Sequence, residues 1–305
     1  MEISVSICTW NNCERLDQTL DSLAKVTVPP NCQWEVIVAN NNCTDATDEV
    51  VSKYTDRLPI VYIKEPRQGL SLARNATVNI ARGKLIIFTD DDVDFEKDYV
   101  ASYWRTYQQK PNGYFFCGLV ESRFINYKPD MDLVAVAVAD IGGCDYGPVE
   151  RPLSPTESIF GMNWACALAE IKKIGGFDVT RGLGASAKVN VGEETDLMRR
   201  LRQDGLTTWY IPEAKVYHIV PKRKCGQAHI GRRWEAIGFD EVVSSSAHEY
   251  QGKKIGKTPL WLLKKTLLAY GKWLTAKCRG QKAYKEYVEY QYLRGIIRGI
   301  NSIKE

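Results

Sequence analysis

RQGLSLARNATVNIARGKLIIFTDDDV (67–93) decides the fold. Its first half has helical character over about 71–81, and Gly83 ends that helix. KLIIFT (84–89) then reads as a strand, and it runs straight into Asp90, Asp91 and Asp92, with Asp94 two places on. Carboxylates crowded at a strand end repel one another. The pattern makes sense where that end faces a ligand that offsets the charge.

The same unit repeats upstream. VSICTW (5–10) is a strand, followed by Leu16, Leu20 and Leu23 on one helical face. WEVIVAN (34–40) is the second strand, and Thr44 or Asp45 can cap a helix to about residue 54. IVYI (60–63) is a short third strand. The order βαβαβαβ predicts a parallel sheet with right-handed crossovers. Ligands bind outside the carboxyl ends of such strands, here the polar segments 9–11, 40–42 and 90–92.

Downstream the pattern loosens. A helix is expected at 97–109 and a strand at YFFCGLVES (114–122), followed by an irregular segment over 126–155. MNWACALAEI (162–171) reads as a strand and 193–201 as a helix opened by acids. Two short strands are expected at 207–211 and 214–219. The last stretch, with Trp261, Leu262, Leu263, Leu267, Leu268 and Trp273 among Lys264, Lys265 and Lys272, reads as two or three amphipathic helices.

A chain of 305 residues with 44% hydrophobic and 26% charged residues buries a real core. It has no apolar run long enough to span a bilayer and no signal-peptide pattern at its start. Nine cysteines, an odd number without a CxxC pair, argue against a disulfide framework and a cysteine zinc site. These features lead us to expect a cytoplasmic protein. The net charge of +4 hides an asymmetry. Residues 251–305 hold 13 of the 41 Lys and Arg but 3 of the 37 Asp and Glu, leaving 28 and 34 for the rest. So basic a tail suits nucleic acid or an anionic lipid surface.

Three clusters can carry chemistry. Asp90 and Asp92 sit at i and i+2 of an extended segment, so both can face one hard cation, Mn²⁺ or Mg²⁺, that bridges a diphosphate; the competing reading is a solvated acidic turn. In GEETDLMRRL (192–201) Glu193 and Glu194 open a helix that Leu197 and Leu201 anchor. A carboxylate there can be a general base or simply complement the helix dipole. His218 ends a short strand, as a metal ligand or a buried hydrogen-bonded residue, and PKRK (221–224) follows.

Together these segments resemble the family 2 glycosyltransferases of bacterial polysaccharide type, with the GT-A fold. TWNNCERLDQTLDSL (9–23) is similar to the family's opening strand and helix, and EVIVANNNCTDAT (35–47) to its second strand and turn. Residues 67–93 resemble the Ala-Arg-Asn helix and the strand ending in the DxD motif. GGFD (175–178), the Glu-Glu-x-Asp-Leu helix and the strand ending in His218 follow in order.

The resemblance implies an α/β GT-A domain over 1–225, a Rossmann-like mixed sheet flanked by helices. Its nucleotide-binding half is about 1–95 and its acceptor half 96–225, with a basic helical appendage over 226–305. It implies metal-dependent sugar transfer, with inversion, from a nucleoside diphosphate, a UDP-sugar first, to a hydroxyl of a glycan or lipid-linked acceptor. By position, Glu194 would be the base, with Glu193 and Trp164 on the acceptor side. Asp92 and His218 would hold Mn²⁺ or Mg²⁺. Thr9, Asn11, Asn40, Arg74, Asp90 and Asp91 would bind the nucleotide-sugar. Asn40 stands where the family commonly has an Asp that accepts from the uracil N–H, a task an amide oxygen can take over. Asn12 stands where Arg is frequent. Trp164 would stack on a sugar or pack in the core. The tail over 251–305 would meet a cytoplasmic membrane face, cap the catalytic domain, or pair two copies; no nucleic-acid partner is expected.

Two rivals fare worse on the residues. A haloacid-dehalogenase-type phosphatase has Thr or Val where Asp94 stands. A non-catalytic sugar-nucleotide-binding protein would lack Glu194.

Overall fold

The computed structural model describes residues 1–157, 159–184, 191–244 and 250–303. The chain divides into two compact units. The first comprises Met1–Arg123, the described residues of Gly143–Lys188, and Glu193–Ile219; the second comprises Phe124–Gly142 and the described residues of Val189–Gly192 and Val220–Glu305.

The first unit opens with β1 (Ile3–Thr9), α1 (Cys13–Leu23), β2 (Trp34–Asn40), α2 (Thr47–Ser52), β3 (Ile60–Lys64), α3 (Leu70–Ile80) and β4 (Leu85–Thr89). The expected parallel half-sheet is present: β3, β2, β1 and β4 lie side by side, all parallel. Strand β4 is buried throughout because both its faces are covered. Leu85 and Ile87 enter one apolar cluster with α1, while Ile86 and Phe88 enter the other with α3. That is why it reads as an unbroken apolar run rather than an alternating one.

Next come β5 (Val93–Phe95), α4 (Tyr99–Gln109) and β6 (Tyr114–Arg123), then α5 (Met131–Val136) of the second unit. β7 (Arg151–Pro152), β8 (Asn163–Ala167), α6 (Leu168–Lys173), α7 (Glu193–Gln203) and β9 (Thr207–Ile219) complete the first. Strands β8 and β5 run antiparallel to their neighbours, while β6 and β9 pair in parallel, so the sheet is mixed and ordered β3-β2-β1-β4-β8-β6-β9-β5.

Three expectations need correction here. The run 162–171 is not one strand, because β8 stops at Ala167 and α6 begins at Leu168. The two short strands after 207 are one strand, β9, whose pairing with β6 shifts register between Gly118 and Val120. Gly118 permits this irregularity, since a Cβ there would lie 1.8 Å from the Ala214 carbonyl oxygen. Trp164 offers no face to a sugar. It is fully buried in β8, stacked on Phe88 at 4.5 Å between ring centroids, with Phe177 at 6.2 Å.

In the second unit, α8 (Gln227–Ser244) and α10 (Tyr284–Ser302) pack closely. Cβ atoms at Gly238 and Gly295 would fall 2.1 and 2.0 Å from carbonyl oxygens of the facing helix, so glycine at both is what lets the backbones approach. A short hairpin of β10 (Lys254–Ile255) and β11 (Thr258–Pro259) leads into α9 (Leu260–Cys278). All nine cysteines are free thiols.

Truncating a buried aromatic leaves a cavity. Trp164→Ala should therefore cost about 3–5 kcal/mol in urea unfolding. A variant of unchanged stability with a raised KM for acceptor would return Trp164 to the binding surface.

Candidate active site

Helix α3 buries Ser71, Ala73, Arg74, Thr77 and Val78, and Arg74 is the one charged side chain among them. It is 3% exposed. A guanidinium is rarely buried unless paired, and this one has three carboxylates around it. Nη1 lies 2.7 Å from Glu194 Oε1 and 3.2 Å from Glu193 Oε1, and Nη2 lies 3.3 Å from Asp90 Oδ1. The face of Phe177 covers it at 5.5 Å. Neighbouring α3 residues hold that cover. The Asn75 amide exchanges two 2.8 Å bonds with the Phe177 backbone, and the Ser71 hydroxyl donates to the Arg181 carbonyl at 2.8 Å.

Glu193 and Glu194 are the first residues of α7. The helix is fixed by Asp196, which accepts from Arg199 and Arg200 at 2.7 and 2.8 Å, and Arg200 reaches on to the Ile174 and Gly176 carbonyls. Gly161 makes room for the second glutamate, because a Cβ there would sit 1.8 Å from Glu194 Oε1.

The two glutamates titrate in opposite directions. Burial raises both, but the Arg74 charge and hydrogen bond outweigh it at Glu194 and hold that carboxyl below its ordinary range. Glu193 is raised by burial and by the Glu194 charge, against which Arg74 pulls less. The side chain of Glu194 is 20% exposed and that of Glu193 is 5%. The ionised carboxylate is thus the accessible one.

At the end of β4 the acid triplet divides. Asp90 turns to Arg74. Asp91 accepts from the Asn12 side chain at 2.8 Å, and its carbonyl accepts from the Thr19 hydroxyl at 2.9 Å, tying the turn to α1. Asp92 faces His218, with Nε2 and Oδ2 3.6 Å apart. Strand pairing sets that approach: Val93 is opposite His218, and the Ile219 N–H donates to the Asp92 carbonyl at 2.9 Å. Burial, and then the Asp92 charge, push Asp91 up to about 7. Asp90 is also raised, by burial against the pull of Arg74 and then by the Asp92 charge, although a third of its side chain stays open to water.

On the rim, Asn11 adopts a positive φ of 48° and accepts from the Thr44 N–H at 2.7 Å. Asn40 does not present a free amide to a base. It is 4% exposed, its oxygen accepts from the Cys43 N–H at 2.7 Å, and its nitrogen donates to Tyr62 and Asp48 at 2.7 and 3.0 Å. Arg74 likewise does not line a nucleoside pocket, because the carboxylates enclose it. Thr9 is buried too, whereas Trp10 beside it is 58% exposed.

Residues 4–131 match the model of glycosyl transferase family 2. Over those residues the chain is similar to that family, and the match covers somewhat less than half of its length. It is similar to the glucosyl-dolichyl phosphate glucuronosyltransferase of Haloferax volcanii, 22% identical over 221 residues that cover 72% of this chain and 69% of the relative. Among solved structures it resembles the mannosyltransferase PcManGT from Pyrobaculum calidifontis in complex with GDP-Man and Mn²⁺. That match has a TM-score of 0.61 and 18% identity, over 100% of this chain and 88% of the other. It also resembles S. aureus TarS in complex with UDP-GlcNAc, with a TM-score of 0.57 and 15% identity over 98% and 92%. These neighbours show that the chain has the GT-A fold.

The residues of this site suit a hard cation in part. Asp90 and Asp92 at the end of β4 and His218 on β9 supply oxygen and imidazole donors, and burial followed by neighbouring acids raises Asp90 and Asp91. Among the described residues, no group of three or more His, Cys, Asp or Glu is arranged to cage a metal alone. Mg²⁺ and similar ions commonly complete such a site with substrate phosphates.

Sequence reading missed three contributors: the Phe177 cover, the Gly161 clearance and the exposed Trp10. The first two arise from contacts across 103 and 33 positions and leave no local signal; Trp10 needed only a closer look at the strand end.

Asp91 and Glu193 hold protons in the folded state that the unfolded chain sheds near 3.8 and 4.5. The stability they contribute is full below those values and lost as pH rises toward about 7 and 8. In metal-free buffer Tm should fall across that window, and Asp91→Asn with Glu193→Gln should flatten the fall. The same slope in the double variant would refute this reading of the site.

Proposed function

We propose that this family 2 glycosyltransferase moves a sugar from a UDP-sugar to a hydroxyl of a glycan or lipid-linked acceptor, with inversion and with help from a divalent cation. The observation that carries the reading is the split between two adjacent glutamates on one arginine. Glu194 is ionised and accessible, and it shares Arg74 with Asp90 of the DxD turn, so base and donor site are joined through one side chain.

Glu194 accepts the acceptor O–H proton as that oxygen bonds to the anomeric carbon. The bond from that carbon to the diphosphate breaks, and its electron pair leaves with the diphosphate. Asp92, His218 and Asp90 would hold Mn²⁺ or Mg²⁺, which when bound supplies positive charge to the departing diphosphate. Arg74 keeps Glu194 deprotonated and aimed, and Gly161 keeps its path clear. Glu193, too deeply buried to meet the acceptor freely, sits beside the base with its titration pushed upward. The solved neighbours with bound UDP-GlcNAc and GDP-Man support a nucleoside-diphosphate donor, and the glucuronosyltransferase relative makes a lipid-linked acceptor reasonable. Uridine is the donor to test first, against guanosine.

Incubation with UDP- or GDP-sugars and Mn²⁺ should release nucleoside diphosphate. Loss of a general base typically costs 10²–10⁴-fold, so Glu194→Gln should lower kcat by about that factor while the thermal shift with nucleotide survives. Asp92→Ala should remove both the release and the Mn²⁺-dependent part of the shift. Unchanged release in both variants would discard the assignment.

Gly161→Ala tests the base separately. The added methyl displaces the Glu194 carboxylate, so kcat should drop at least about tenfold with nucleotide affinity unchanged. A variant of full activity would show that Glu194 need not occupy that position.

A further inference from the structure

Helix α9 leaves an apolar face uncovered. It packs within the second unit through Leu262, Thr266 and Ala269, and Trp273 adds a cluster with Tyr270, Tyr287 and Tyr290. On the opposite side Leu260, Trp261, Leu267, Leu268 and Leu274 are 41–70% exposed. Leu260, Leu267 and Leu274 recur every seven residues, so they form one stripe along the helix. Solvent-facing leucines in such a row are unusual for a monomeric surface and mark a binding face.

The charge around the stripe says what covers it. Lys265 and Lys272 lie on one flank, Lys277 on the other, and Lys264 within the exposed side. From residue 250 to 285 the chain carries ten Lys or Arg and no Asp or Glu. A shallow groove of about 500 Å³ on this side has Leu267, Leu268, Gly271 and Ala276 along its floor, with Lys272 and Arg279 at its rim. An apolar floor with cations at its edge matches a lipid, whose acyl chain meets the leucines and whose phosphate meets the lysines. A second copy of this chain would bring the same uncompensated positive charge and be repelled. No helix among the described residues is long and apolar enough to cross a membrane, so contact by α9 is from one side.

We propose that α9 lies in the interfacial plane of an anionic lipid bilayer, with its leucine stripe in the acyl boundary and its lysines at the headgroup phosphates. The proposal stands apart from the chemistry of the sugar-transfer site, whose residues lie in the other unit.

The full-length protein should float with phosphatidylcholine vesicles that contain phosphatidylglycerol and stay at the bottom with phosphatidylcholine alone. Leu267→Glu with Leu268→Glu should abolish flotation. Lys264→Gln with Lys265→Gln should weaken it about tenfold or more, and high salt should do the same. All these positions are exposed, so the variants should keep the wild-type Tm and the wild-type thermal shift with nucleotide, which keeps loss of lipid binding distinct from loss of fold or donor site. Flotation equal on neutral vesicles, or unaltered in both variants, overturns the proposal. So does a concentration-dependent dimer, abolished by Leu267→Glu, in protein that never floats.

Discussion

Arg74 is the constraint around which the first unit is arranged. Asp90 at the end of β4 and Glu193 and Glu194 at the start of α7 are about a hundred positions apart in the chain, and each repels the others. A buried cation between them converts that repulsion into a reason for the segments to meet. Its planar fork suits the task, since two nitrogens reach three carboxylates where a lysine offers a single point of charge. The arrangement is rigid in consequence. Losing one partner of a buried pair strands the other, which costs far more than an exposed pair ever contributes.

The same arginine explains how two adjacent identical side chains come to differ. It has more hold on Glu194 than on Glu193, so one glutamate stays ionised while the other is pushed toward protonation. Groups whose environments drive their titrations apart are how a site obtains distinct acid and base roles from one residue type. Burial reinforces the division, because the carboxylate that keeps its charge is also the one more open to water.

Much of this was legible in the sequence where the signal is local. The three βα steps, the strand running into the acid triplet and the acid-led helix all follow from short-range periodicity and end chemistry. What stayed hidden depends on distance. Arg74 was expected at a nucleoside from the family resemblance alone, and only the fold brings Glu193 and Glu194 to it. Trp164 could be core or sugar platform until Phe88 was seen against it. The division of 162–171 into β8 and α6 was unreadable because short apolar strands and buried helical turns share the same residues. Pro212 and the adjacent acid made β9 look like two strands, since the compensating irregularity sits on another strand, at Gly118.

One asymmetry in the charges bears on how a donor would bind. Among the described residues Arg74 is the buried cation that meets Asp90, Glu193 and Glu194, while Asp92 rests beside His218 and Asp91 accepts from the neutral Asn12. Burial first, and the crowding of neighbouring acids after it, raise Asp90 and Asp91. On the proposed reading, a divalent cation relieves the acids but finds too few fixed ligands to be held well by itself, and a diphosphate supplies oxygens but would be repelled by bare carboxylates. Each makes the other's binding favourable. Donor and metal should then enter as a coupled pair.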